Sequence, residues 1–497
     1  MSFSSSNTTQ QLLGNQDASS ILTLYISSLV AGFLFSVSIY MNRDPYPQLP
    51  RIGPKGLARL TWLTQKLDFI LNAKERLMKG SKQYPDRPYK IFTDMGDVVV
   101  VPPSYMEELK MVPTLDFMAA GGDDMHSYIP GFHVFDLEPQ FMKALVKNLT
   151  KVPGKYEFSH DDVSLLVTRM DSCVFLGEEL SKDPAWYKAA ADFIHAAFAT
   201  AYFIGLFPRN LRWYISWFFP PTYLVRQRLN KCKAVLQSYL DKRTAVKAAA
   251  AARGEPCPYN GAVEWFEKEC SPDHNPAYYQ IALNFVAVHT TSDLLFQTLI
   301  DIAQHPEVID PLRKELMEVL RSDGLTKVGL QKLKLMDSCL KESQRRRPVA
   351  TAFFRRLAMS DIKLSNGLVI KKGTKIVADA GCMQNPSLWE NPTEWDPYRF
   401  LRMRSVPGQE TSANLVTATQ AHFGFGYGLH VCPGRFFAAS TLKVALAHLL
   451  LKYDLTFPQG QRNLKSIVVG QHHMAHPKTR ILIASRKPEI DIDCLPV

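Results

Sequence analysis

A long stretch in the middle of the chain carries almost no charge. Asn275-Pro276 reads as a helix N-cap with proline at the first helical position, and from there to Gln304 the only charged side chains are Asp293 and Asp301. At roughly 1.5 Å per residue such a helix is about 45 Å long. It is apolar on nearly every side, so it has to run through the interior of whatever forms around it. A chain of 497 residues with 46% apolar content can supply that surround as one large core or as several domains. Beyond it, Pro306 opens an amphipathic pattern over Glu307 to Leu320, and a third helical pattern runs from Leu330 to Arg346 and stops before Pro348. Phe353 to Leu357, Ile362 to Leu364 and Leu368 to Ile370 then read as strands, with Asn366-Gly367 as a hairpin turn. The expectation is a mainly α body with a minor β-sheet region.

Chemistry is concentrated near the C-terminus, in Phe425-Gly426-Tyr427-Gly428-Leu429-His430-Val431-Cys432-Pro433-Gly434-Arg435, followed by the apolar run Phe436-Phe437-Ala438-Ala439. Glycines let a backbone approach a flat cofactor closely. The residues after Gly434 read as a helix start, where unpaired N–H groups and the helix dipole favour a thiolate. A cysteine so placed is either a buried packing thiol or an axial iron ligand, and a thiolate on haem iron donates electron density that favours O–O cleavage.

This segment resembles the haem-binding loop of the cytochrome P450 family: Phe425, Gly426, Gly428, Gly434 and the following helix all fall in place around Cys432. The resemblance covers about residues 50–490, with the family's motifs in order. It implies the cytochrome P450 fold, haem b as cofactor and Cys432 as the proximal ligand to its iron. Glu342 and Arg345, three apart on one helix face, resemble the family's Glu-x-x-Arg, which implies a buried network with Arg399 of Asp396-Pro397-Tyr398-Arg399-Phe400 that shapes the loop around Cys432. Val286-Ala287-Val288-His289-Thr290-Thr291, midway along the apolar helix, resembles the oxygen-activation segment. Thr290 then aligns with the threonine that organises proton delivery, although a threonine there can equally bond its own i−4 carbonyl. His289 stands where an acid is usual, and reads as a proton shuttle or as a satisfied core residue. His430 stands where the family mostly has arginine against a haem propionate, as in many fungal membrane-bound members. No Trp-x-x-x-Arg propionate segment is recognisable from Lys147 to His160, so Arg355 and Arg356 are the candidate donors, Arg356 first.

Ile21 to Met41 is an uncharged run, long enough at about 31 Å to cross a bilayer core. Residues 1–20 contain no Lys or Arg, whereas Arg43, Arg51, Lys55 and Arg59 follow. The expected organisation is therefore a lumenal N-terminus (1–20), an N-terminal transmembrane helix (21–41), a Pro-rich linker (42–55) and a cytosolic haem-thiolate domain (56–497), in the endoplasmic reticulum membrane. Asn7-Thr8-Thr9 is a lumenal glycosylation sequon. Eight scattered cysteines without a C-x-x-C pair argue against a disulfide framework or structural zinc. The formal charge of +11 suits an acidic protein partner or anionic lipid. No nucleic-acid-binding pattern accompanies it.

No Gly-x-Gly-x-x-Gly site or flavin domain is evident, so the resemblance implies electrons from NADPH–cytochrome P450 reductase, with cytochrome b5 as a further partner, and a hydrophobic small-molecule substrate entering from membrane lipid. Met118 to Phe135 takes the place of the variable loop over the haem. Phe203 to Pro221 is strongly aromatic and reads as an access channel, a membrane-interface segment or plain core. Val349 to Ala352 would sit beside the haem. Gln471 to His476 holds three histidines without ligand geometry and reads as a loop near the substrate pocket. The motifs look like fungal secondary-metabolite oxidases resembling ent-kaurene oxidase. That makes terpenoid or meroterpenoid oxidation the first expectation, ahead of a polyketide or indole alkaloid scaffold. Isomerase or dehydratase chemistry on the same fold is the rival, distinguished by indifference to reductase and NADPH.

Overall fold

The uncharged stretch is a single helix, and the body is arranged around it. The computed structural model describes residues 45–54, 62–137, 160–181, 183–270, 275–458, 466–476 and 478–492. The expected anchor (21–41), the sequon at Asn7 and residues 147–159 lie outside these. No helix among the described residues is long and apolar enough to cross a membrane. In chain order the principal helices are Trp62–Gln83 (α1), Phe117–Asp124 (α2), His160–Leu176 (α3), Pro184–Gly205 (α4), Arg209–Phe218 (α5), Pro220–Ala252 (α6), Ala262–Glu269 (α7), Pro276–Gln304 (α8), Ile309–Asp323 (α9), Lys334–Arg346 (α10) and Arg435–Lys452 (α11).

Helix α8 starts as its sequence directs: the Asn275 side chain accepts from Ala277 N–H at 2.9 Å, and Pro276 occupies the first turn. It packs against α3, α6, α7, α10 and α11. Its two halves lie in different cores. Ala277 to Phe285 are buried with α4, α6 and α7, and Leu294 to Ala303 with α9, α10 and α11. Between them one face opens, with Val286 and Thr290 exposed.

The minor β region is real. A six-stranded sheet has the order β1-β2-β3-β8-β5-β4, from Arg51–Ile52 (β1), Tyr89–Thr93 (β2), Gly96–Val101 (β3), Leu115–Asp116 (β4), Ala352–Ala358 (β5) and Lys375–Asp379 (β8). Strands β5 and β8 are antiparallel, with a register shift between Phe353 and Arg356 where Phe354 takes a φ of 55°. A bulge of this kind re-aims the side chains beside it, here Arg355 and Arg356. Ile362–Lys363 (β6) and Val369–Ile370 (β7) form the expected hairpin, with Gly367 at φ 85° in its turn. Tyr453–Thr456 (β9) pairs with Leu482–Ser485 (β12), and Ile467–Val469 (β10) with His472–Met474 (β11).

Three local expectations change. The pattern from Leu330 to Arg346 is broken at Leu333 (ψ 80°), because Glu315 from α9 accepts the N–H groups of Leu335 (2.7 Å) and Met336 (3.0 Å) and starts a new helix there. The stretch after Pro306 begins with a 3₁₀ turn before α9. Met118 to Phe135 is not simply a loop. Asp116 caps α2 by accepting from Met118 and Ala119 N–H, and Gly121 and Gly122 lie inside that helix. A Cβ on Gly122 would press on Ser127 Oγ at 3.2 Å and the Phe135 carbonyl at 3.3 Å, which explains glycine within a helix.

Candidate active site

The loop before α11 is held from several sides. Gly426 N–H donates to Phe423 O (2.8 Å) and Cys432 N–H to Phe425 O (2.7 Å), so the chain turns back on itself around the cysteine. Gly426 and Gly428 take φ of 77° and 74°, where a side chain is strained. A Cβ on Gly428 would also overlap the Lys110 backbone, whose carbonyl accepts from Leu429 N–H at 2.9 Å. Phe425 packs against the α9–α10–α11 core. Gly434 caps α11 without a side chain. The N–H groups of Gly434 and Arg435 reach the Cys432 sulfur, as expected of a helix start. Burial nevertheless outweighs them and pushes the thiol up, so the helix terminus alone does not supply a thiolate. Bonding to a metal cation would, since a coordinating thiol is deprotonated outright.

Behind the loop stands a buried polar network. Arg345 donates from Nε and Nη2 to the two carboxylate oxygens of Glu342 (2.8 Å each), from Nη1 to Met383 O (2.7 Å) and from Nη2 to Pro392 O (2.9 Å). Arg399 Nε donates to Glu342 Oε2 at 3.1 Å, and Arg399 Nη1 to Glu390 O at 2.7 Å. The Glu342 and Arg345 side chains are wholly buried. Such a pair is costly unless it is well hydrogen-bonded, and here each of the three Arg345 guanidinium nitrogens has a partner. The same helix reaches the loop through Gln344, which fills the space a Cβ on Gly424 would need. Lys341, which the sequence reading passed over, donates to the carbonyls of Ser412, Asn414 and Thr417 at 2.7–2.9 Å. Burial lowers its pKa to about 7.

The two candidate arginines separate. Arg355 is ion-paired with Asp124. Arg356 is buried, stacks over Phe354 (4.3 Å), and donates to the carbonyls of Arg355 (2.8 Å) and Tyr427 (3.2 Å). Among the described residues it has no carboxylate within ion-pair distance. Burial lowers its pKa to about 10, with Asp116 acting in the opposite sense. Asp116 is already engaged in capping α2. His430 bonds the Leu115 backbone, and its Nε2 is buried without a partner. Burial, and then the nearby Arg356 charge, lower the His430 pKa. A buried guanidinium and a buried ring nitrogen, both lacking an anion, therefore sit beside the cysteine loop. This donor set fits the carboxylates of a haem.

On the open face of α8, Thr290 Oγ1 donates to Val286 O at 3.0 Å. His289 turns toward α4, its ring edge-on to Phe198 at 5.4 Å and 6.1 Å from Phe285. Asp293 follows one turn after Thr290 on the same face. It accepts from Gln297 Nε2 (3.0 Å) and Ala475 N–H (3.4 Å), and burial raises its pKa to about 6. In the sequence Asp293 stands out only as one of the two charges in this helix. Its spacing from Thr290 was the available signal.

Comparison with known proteins decides the family. The cytochrome P450 family model matches residues 134–482. The chain belongs to the cytochrome P450 family. It is 42% identical to cytochrome P450 monooxygenase eqxH of Fusarium heterosporum, covering 93% of this chain and 94% of that one. It is 35% identical to cytochrome P450 monooxygenase hepE of Aspergillus oryzae, over 92% and 89%. Among solved structures, the haem domain of cytochrome P450DA superposes with a TM-score of 0.61 at 17% identity (88% of this chain, 98% of that one), which establishes the shared fold. Retinoic acid-bound cyanobacterial CYP120A1 gives 0.59 at 18% identity, over 88% and 100%. This P450 is thus an oxidoreductase of the monooxygenase type whose cofactor is a cysteine-ligated haem iron. Its family implies a redox partner and a hydrophobic substrate.

Proposed function

We propose that this P450 oxidises a hydrophobic secondary metabolite, first of all a terpenoid or meroterpenoid, with O2 and electrons from NADPH–cytochrome P450 reductase. The observation that carries the site assignment is the convergence of the glycine-turned Cys432 loop with two buried donors that lack an anion, Arg356 and His430 Nε2. When bound, haem supplies the activation of O2 and the oxidation of the substrate. Cys432 would ligate the iron, and Arg356 with His430 would hold the carboxylates. The Glu342–Arg345–Arg399 network fixes the segment leading into the loop. Thr290 holds a hydroxyl on the one open face of α8, where it can bind water and pass a proton. His289, packed against Phe198, serves the substrate side more than that relay.

We further propose that residues 21–41 anchor the protein in the endoplasmic reticulum membrane with the body cytosolic. Helix α5 supports a membrane-facing surface: Trp213, Tyr214, Trp217 and Phe218 are all exposed, and Trp and Tyr favour the bilayer interface.

The test is the reduced carbon-monoxide difference spectrum of membranes expressing the chain, followed by turnover of a terpenoid panel with reductase and NADPH. The red-shifted Soret band of thiolate ligation and NADPH-dependent product are expected. Haem incorporated without that band would remove Cys432 as ligand, and turnover without NADPH would remove the monooxygenase reading. In a Thr290→Ala variant the share of NADPH oxidation that ends as peroxide should rise, and unchanged coupling would take Thr290 out of proton delivery.

A further inference from the structure

The two charged residues of α8 share one ridge. Thr290, Asp293, Gln297 and Asp301 follow one another at three- and four-residue spacing, so they line one face of a largely apolar helix. The ridge begins on the open face, where Thr290 is exposed and Asp293 half-buried, and ends in the core, where Asp301 is wholly buried.

The two carboxylates are held differently. Asp301 faces cations: it is paired with Arg346 (3.1 Å) and with Arg347, and it accepts from Ser343 Oγ at 2.7 Å. Its charge is neutralised in place. Asp293 is met by neutral donors, Gln297 Nε2 at 3.0 Å on one oxygen and the Ala475 N–H at 3.4 Å on the other. Arg347, just beyond α10, acts on it by charge alone, and His473 on β11 is kept neutral, burial lowering its pKa to about 4. Helices α3, α10 and α11 pack this half of α8 with apolar side chains, Val167, Met170, Leu340 and Leu446 among them. Burial wins, and the Asp293 carboxyl changes state at about pH 6. Two like groups on one helix, one fixed and one able to take and give a proton, is a pattern that separates structural from acid–base roles.

Gln297 suits both states of Asp293. Its side chain is buried, and its Oε1 meets no hydrogen-bond partner among the described residues while Nε2 donates to Asp293. Half a turn of the amide exchanges the two atoms and lets Oε1 accept from a protonated Asp293. One amide atom is left over in either orientation, so the turn loses no hydrogen bond. His289, the residue beside Thr290 that the sequence offers for proton transfer, is instead packed against Phe198 and Phe285.

We propose that Asp293 is the proton donor that serves Thr290, and that Gln297 holds it in both of its protonation states. The acid form gives its proton to the Thr290 hydroxyl, directly or across one water, and Thr290 releases its own hydrogen to the open face. The carboxylate left behind is met by Gln297 Nε2 and the Ala475 N–H, and it takes a proton back from solvent water before the next cycle. The inference rests on the reading of Thr290 in proton delivery by this P450, and it names the group behind that threonine.

The test is an infrared pH titration of the haem-loaded full chain. A protonated carboxyl band should fade with a midpoint at about pH 6 and be missing from Asp293→Asn. Gln297→Met removes both amide atoms and should move that midpoint upward, because the carboxylate loses a donor. The second readout is the share of NADPH oxidation that ends as peroxide, with reductase and no added substrate. Asp293→Asn should raise it as far as Thr290→Ala does, the double variant should raise it no further, and Asp293→Glu should bring it most of the way back. In the unmodified protein that share should climb as pH rises through about 6, a slope absent from Asp293→Asn. Absence of an Asp293-dependent band would overturn the inference, as would unchanged peroxide in Asp293→Asn beside a Thr290→Ala variant that uncouples. Uncoupling by Asp293→Asn with no effect of Thr290→Ala would also overturn it, by separating the two residues. If neither variant uncouples, it falls together with the role of Thr290. A missing thiolate band in the carbon-monoxide spectrum of the same preparation removes the Cys432 assignment, while the infrared titration still decides whether Asp293 titrates.

Discussion

The Glu342–Arg345 pair and the two histidines against Phe198, His289 and His472, are both polar groups set into an apolar body, but they are held in opposite ways. Around Glu342 and Arg345 the protein itself meets the charges, through Arg399, two backbone carbonyls and complete burial. Around Phe198 the rings touch edge to face, from helices and a hairpin, on a half-exposed surface. The first arrangement leaves no valence for a ligand and can only shape the backbone near Cys432. The second is held by ring packing, with Phe198 half-buried. A region that shapes the loop around Cys432 is saturated with internal bonds, whereas the Phe198 region is held mainly by packing of rings.

Five variants probe that contrast. The largest effect should come from Cys432→Ser: complete loss of the thiolate spectrum, with the fold retained by circular dichroism. A wild-type spectrum in that variant would move the ligand elsewhere. Next, Glu342→Gln strands a buried guanidinium and should cost about 3–5 kcal/mol, read as a large fall in Tm together with lost haem content. If Tm stayed within a few degrees, the network would not be the rigid half of the comparison.

Asp293→Asn probes the open face of α8. The folded-state pKa of Asp293 is raised to about 6, above its unfolded value, so the charged form is disfavoured in the fold. The wild type therefore loses stability as pH rises from about 4 through 6, and the asparagine variant does not. The variant should be more stable at pH 7.5, by on the order of 2 kcal/mol, and no more stable at pH 4. Equal pH profiles from thermal unfolding would show that Asp293 is not held in this way. The smallest effect belongs to the arginine pair. Arg356→Ala should release haem about tenfold faster, the worth of a charge-assisted hydrogen bond, in a haem-transfer assay. Arg355→Ala should not, because its partner is Asp124.

Much of the frame was legible because it depends on local patterning. Asn275-Pro276 and the missing charges up to Gln304 specify one buried helix, and α8 is that helix. The glycine spacing around Cys432 specifies a close turn, and Gly426 and Gly428 occupy left-handed conformations there. What local pattern could not reveal was mostly set by groups far away in sequence. The break at Leu333 needs the Glu315 carboxylate from another helix. The helical start of the Met118 stretch depends on Asp116 and on the close approach of Ser127 and Phe135. Arg355 and Arg356 are adjacent and alike in sequence, and only the approach of Asp124 to one of them tells them apart.

By itself, then, the sequence determined the helical frame, the cysteine loop and the family, because capping, periodicity and glycine geometry act over a few residues. Tertiary structure alone decided which buried donor is left without an anion, that Asp293 is desolvated next to Thr290, and that His289 and His472 both pack against Phe198. Desolvation and side-chain pairing depend on which surfaces meet, and those surfaces come from segments hundreds of residues apart.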